Sequence, residues 1–109
     1  MTLEPEVRML AAVGDPVRAA LVRALARRGP TSTTALAAPL EVTRQAVDKH
    51  LRVLREVGVV SSARHGREMR HSLEPAALDA AASWLEAIGR EWERQFALVK
   101  RAAESPRGS

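Results

Sequence analysis

The chain has 109 residues, a net charge of +4 from 17 basic and 13 acidic side chains, and no cysteine. That length supports a single small domain, whose core is small enough that a permanent partner is expected. Without cysteine there is no disulfide frame, thiolate zinc site or thiol nucleophile.

The apolar (46%) and charged (28%) fractions are those of a globular chain. No apolar run approaches the roughly 20 residues of a membrane helix, so no membrane partner is expected. The opening MTLEPEV is acidic and has no apolar signal core, which argues against secretion and for the cytoplasm.

Leu3, Val7 and Leu10 recur at helical spacing, predicting a first helix from Glu4 to Val13. Asp15 is placed to cap a second helix with Pro16 in its first turn, carrying a Val17, Leu21, Leu25 stripe to about Arg28 before Gly29-Pro30. Thr31 to Thr34 is a cluster of potential caps. It leads into a short third helix from Thr34 to Ala38 that Pro39 ends, and Leu40 and Val42 fill a compact turn.

Thr43 opens the clearest helix, about 43–57, with Val47, Leu51 and Leu54 on one face and Gly58 as terminator. From 59 to 73 the period changes to a hairpin. Val59-Val60 begins one strand, and Arg64-His65-Gly66-Arg67 makes the turn. Met69, His71 and Leu73 alternate as the half-buried side of the other strand.

Pro75 starts a last helix reaching about Ala103, roughly 40 Å at 1.5 Å per residue. It is striped by Leu78, Ala81, Leu85, Ile88, Trp92, Phe96 and Val99. The polar tail SPRGS is expected to fray. No internal repeat or low-complexity tract interrupts the order α-α-α-α-β-β-α.

The charge is concentrated. Residues 44–71 carry net +4 and all three histidines, whereas residues 1–43 carry +1 and residues 72–109 carry −1. A short helix, a tight turn, a second helix with polar and basic groups outward, and a hairpin make a winged helix–turn–helix, mainly α with a small β wing.

The stretch LAAPLEVTRQAVDKHLRVLREVGVV, residues 36–60, resembles the helix–turn–helix of the ArsR/SmtB family of bacterial repressors. The resemblance extends upstream through GDPVRAALVRAL and downstream through the wing into the last helix; HLRVLREVGVV is its most specific part. It implies a homodimeric transcriptional repressor whose terminal helices pair the subunits and whose recognition helices read a near-palindromic operator in double-stranded DNA.

On the recognition helix, Arg44, Gln45 and Lys49 are candidates for base edges, since Arg and Lys suit guanine O6/N7 and Gln suits adenine N6/N7. Arg52 shares their surface. Thr43 is the N-cap, and its hydroxyl or the adjoining N–H groups can also meet a phosphate. Asp48 departs from the family pattern, which often has a small hydroxyl residue there. It is expected to hold Arg44 or Arg52 in place or to accept from cytosine N4. His50 is open to phosphate contact or to packing at the helix edge. Arg64 and Arg67 flank the wing tip and suit phosphate or minor-groove contact, although hairpin tips are often charged anyway.

The aromatics Trp84, Trp92 and Phe96 all fall on the last helix. With Leu3, Val7, Leu10, Leu85 and Ile88 they are the expected dimer interface. The metal ligands by which many family members sense their effectors are missing: residues 75–103 contain no histidine. His71 is expected as a half-buried strand residue, and neither a metal nor another cofactor is expected. No phosphate loop, HExxH or GxSxG motif supports an enzyme. Two alternatives stay open: a winged helix that binds protein instead of DNA, and a repressor gated by an unidentified small molecule.

Overall fold

The computed structural model describes residues 2–104. Helix α1 (Pro5–Val13) is followed by α2 (Pro16–Arg28). A short strand β1 (Thr31–Ser32) leads into α3 (Thr33–Ala37), a 3₁₀ turn (Ala38–Leu40) and α4 (Arg44–Glu56). The hairpin β2 (Val60–His65) and β3 (Glu68–Leu73) precedes α5 (Pro75–Glu104). The expected tail SPRGS lies outside the described residues.

Local chemistry sets the helix boundaries. The Asp15 carboxylate accepts from the backbone N–H groups of Val17 and Arg18 at 2.9 and 3.1 Å, closing the start of α2. Those bonds, the Arg18 amide foremost, hold the carboxyl below the usual aspartate range. Ser32 caps α3 by accepting from Ala35 N–H, so the helix starts at Thr33, one residue earlier than predicted. Pro39 sits inside the 3₁₀ turn, where its missing N–H costs little.

Strand β1 is an addition to the predicted elements. It pairs antiparallel with β3, Thr31 opposite His71 and Ser32 opposite Arg70, giving a three-stranded sheet in the order β1-β3-β2. Two residues carry too little periodicity to be read as a strand. Thr31 is buried there, and its hydroxyl donates to the Gly29 carbonyl at 2.7 Å.

The core draws on helices α1 to α4 and the start of β2. Ala12 of α1, Leu21 and Leu25 of α2, and Leu36 and Ala37 of α3 meet Val47, Leu51 and Leu54 of α4 and the Val59-Val60 pair. The wing differs from its prediction in two respects. His65 pairs with Glu68, so the turn is only Gly66-Arg67, with Gly66 at φ 61° in the position that a tight hairpin turn gives to glycine. Arg64 therefore lies on β2 opposite Met69. Met69 is also exposed (42%), because the hairpin runs past the edge of the core and leaves nothing to cover its outer half; burial begins at His71 (3%).

Helix α5 stands apart. Its 30 residues span about 45 Å, and the molecule measures 76 × 27 × 26 Å. Packing of α5 is against α1, and the Trp84 indole N–H donates to the Glu4 carboxylate at 2.7 Å. None of its residues is buried.

Candidate nucleic-acid interface

Helix α4 is strongly two-faced. Thr43 fixes its start by accepting from the Ala46 N–H at 3.0 Å, as its expected capping role requires. Val47, Leu51 and Leu54 are fully buried, which anchors the helix against α2 and α3. Three- and four-residue spacing then turns Arg44, Gln45, Asp48, Lys49 and Arg52 outward, and all five are exposed. Four cationic or amide side chains and one carboxylate thus share a single surface.

The wing stands beside this surface. Arg64 and Arg67 are exposed near its tip. Between wing and α4 lies a cleft of about 580 Å³, lined among others by Thr33, Arg44, Asp48, Arg55, Arg67 and His71. Three arginines face two carboxylates there, Asp48 and Glu68, which leaves a small positive excess.

His50 is half-buried and joined to α2. Its Nδ1 accepts from Arg18 Nη1 at 3.2 Å and lies 3.9 Å from the Asp15 carboxylate. These contacts hold the ring at the edge of α4.

Asp48 forms no ion pair with Arg44 or Arg52 among the described residues, contrary to the expectation that it holds one of them. Its Oδ1 instead accepts from the Thr33 hydroxyl at 3.1 Å. Thr33, at the first turn of α3, comes closer to this carboxylate than either arginine one turn away on α4.

The same hydroxyl lies 2.8 Å from His71 Nε2, and Ser62 Oγ lies 2.7 Å from His71 Nδ1. Arg55 Nη1 reaches Ser62 Oγ at 3.3 Å. His71 is fully buried rather than half-buried. Loss of solvent, and secondarily the nearby Arg55 cation, push its imidazole below the ordinary histidine range; Asp48 pulls the other way. Sequence reasoning overlooked Thr33, Arg55 and Ser62 as partners. The pairing of Ser62 with His71 follows from the two-residue turn, whereas a four-residue turn sets Ser62 against Met69.

Around α5, the side chains expected at a dimer interface fall into two groups. Val7, Leu10 and Trp84 are half-buried where α1 meets α5. Leu3, Leu85, Ile88, Trp92 (69%) and Phe96 (59%) are exposed, with Leu3 ahead of α1 rather than on it. Among the described residues, no group of three or more His, Asp or Glu side chains converges as a metal site. No helix there is long and apolar enough to cross a membrane.

A helix-turn-helix domain family matches residues 13–63. The chain is 39% identical to an ArsR-like transcriptional regulator from Rhodococcus sp. RHA1, over 94% of this chain and 95% of that one, with a TM-score of 0.81. It is 27% identical to the transcriptional repressor BigR from Xylella fastidiosa, over 71% of this chain and 79% of that one, with a TM-score of 0.60. A homodimeric winged helix-turn-helix DNA-binding domain from Mycobacterium bovis shares the fold at 18% identity and a TM-score of 0.64, over 83% of each chain. None of the curated proteins compared with the chain matches it. The family is one of DNA-binding regulators, not enzymes, and the extent of the 39% identity settles membership: this chain belongs to the ArsR family of winged helix–turn–helix transcriptional regulators.

Proposed function

We propose that the protein is a homodimeric repressor that reads a near-palindromic DNA operator without a metal effector and acts in the cytoplasm. The observation that carries this reading is the exposed Arg44, Gln45, Lys49, Arg52 surface of α4, set on a rigid apolar face and flanked by a wing bearing Arg64 and Arg67. Arg44, Gln45 and Lys49 meet base edges, while Thr43, Arg52 and the wing arginines meet phosphates. A protein-docking face would be more apolar and less basic than this one.

Dimerisation is supported by the exposed stripe on α5, which leaves large apolar side chains without cover in one copy. The homodimeric Mycobacterium bovis domain shares this fold. A two-fold dimer places its recognition helices about 34 Å apart, one turn of DNA. The reading without a metal effector rests on the sequence, which has no cysteine and no histidine in residues 75–103.

Footprinting on DNA upstream of the protein's own gene tests the reading, with wild type and the Arg44→Ala/Lys49→Ala double variant. The expected result is a protected two-fold site that the variant loses. Binding with no sequence preference at moderate salt overturns it. Added zinc is expected to leave the footprint unchanged; zinc-dependent release overturns the metal-independent part.

A further inference from the structure

Arg55, Ser62, His71, Thr33 and Asp48 form one continuous hydrogen-bond chain at the base of the wing–α4 cleft. Its direction is fixed at both ends. A guanidinium can only donate and an ionised carboxylate can only accept. Thr33 gives its proton to Asp48 and so accepts from His71 Nε2–H. Ser62 accepts from Arg55 and gives its proton to His71 Nδ1. Of the two neutral tautomers only the one protonated at Nε2 satisfies every link, and the buried position of His71 favours a neutral ring over the imidazolium.

The chain ends on an exposed carboxylate among the cations of α4. Oδ1 is held by Thr33, whereas Oδ2 has no partner among the described residues. In a major groove, flanking phosphates repel a carboxylate unless a donor meets it. The donors on base edges are cytosine N4–H₂ and adenine N6–H₂. Adenine sets its N7 acceptor beside N6, which opposes a carboxylate; cytosine offers a donor without that neighbour.

We propose that Asp48 is a specificity-determining residue that accepts from a cytosine N4 amino group, and that Thr33, oriented by His71, Ser62 and Arg55, is its positioning residue. This rests on the DNA-reading role proposed above.

Selection from a random double-stranded DNA library tests it, with wild type, Asp48→Asn, Thr33→Val and Thr33→Ser. Wild type is expected to fix a cytosine at one position in each half-site. Asp48→Asn keeps an acceptor for Thr33 but adds an amide donor. It is expected to lose about tenfold of the cytosine preference at that position alone and to shift towards bases that offer an acceptor there, adenine, guanine or thymine. Thr33→Val is expected to relax the same position, and Thr33→Ser to restore it.

An Asp48→Asn profile identical to wild type overturns the assignment. A Thr33→Val variant that weakens all sequences equally overturns the positioning role. A wild type that enriches no sequence overturns the DNA-reading role itself, and this assignment with it.

Discussion

Arg18 Nη1 donates to Nδ1 of His50 at 3.2 Å, tying the first turn of α2 to the middle of α4. Arg18 is itself pinned, since its Nε donates to the Ala12 carbonyl near the end of α1. Because a guanidinium cannot accept, Nδ1 must, and the imidazole proton sits on Nε2. The Asp15 contact at 3.9 Å is too long to compete as a hydrogen bond. Nitrogen-15 NMR at pH 8 is expected to show His50 as the Nε2–H tautomer, and Arg18→Ala to give a tautomer mixture with a stability loss of about 1 kcal/mol. A mixture already present in wild type contradicts the contact.

Gly58 ends α4 and aims the chain into the wing. Its N–H bonds to the Arg55 carbonyl and the next N–H, of Val59, bonds to the Leu54 carbonyl, both at 3.0 Å. This is a Schellman closure, which needs a left-handed residue; Gly58 has φ 82°. A Cβ there meets nothing within 4 Å, so the cost of Gly58→Ala is one of backbone conformation alone. Urea unfolding should show a loss of about 1 kcal/mol with an unchanged m value.

Much of this arrangement was legible in the sequence because local chemistry and periodicity agree there. Asp15-Pro16, Thr43 and Gly58 are strong start and stop signals, and Val47, Leu51 and Leu54 mark the inner face of α4 unambiguously. The outward face follows from the same helical period, so Arg44, Gln45, Asp48, Lys49 and Arg52 fall where they were expected. The partners of Asp48, His50 and His71 were not legible. Each depends on a residue distant in sequence, brought near by packing of α2, α3 or the hairpin, and no periodicity encodes such a meeting. Placing the turn at four residues instead of two also shifted every cross-strand pair of the wing.

The exposed stripe on α5 predicts the behaviour of the assembly. Ile88, Trp92 and Phe96 follow one another at four-residue spacing, so they share a face. Trp92→Asp with Ile88→Asp sets two charges on that face, and a buried unpaired charge is strongly disfavoured. Analytical ultracentrifugation is expected to show a dimer for wild type and a monomer for the double variant. Affinity for the full operator should drop about tenfold or more, because linked half-site binding is lost. A variant that remains dimeric places the interface elsewhere.

Glu41, in the turn between α3 and α4, has φ 54° and ψ 33°, the one non-glycine residue with positive φ among those described. A side chain with a Cβ is strained there, whereas glycine is not. Glu41→Gly relieves the strain but frees the unfolded chain, which offsets part of the gain. The expected net effect is a stabilisation of about 0.5 to 1 kcal/mol, with Glu41→Asn giving a smaller gain. Thermal unfolding of the two variants checks the order.

His71 gives stability a defined pH dependence. Burial first, and Arg55 second, lower its pKa from the ordinary 6.5, so the folded chain binds fewer protons at this site than the unfolded chain. Its contribution is therefore complete above about pH 6.5 and diminishes as pH falls through and below that value. Protonation also puts a hydrogen on Nδ1, and Ser62 must then turn its own proton away from the ring. Asp15, held low by the Arg18 amide, acts in a separate window, losing its contribution only as pH falls below 3.8. Urea unfolding at pH 7 and pH 5 is expected to show a loss of stability in wild type that His71→Gln reduces. An equal pH slope in both proteins excludes His71 as its source.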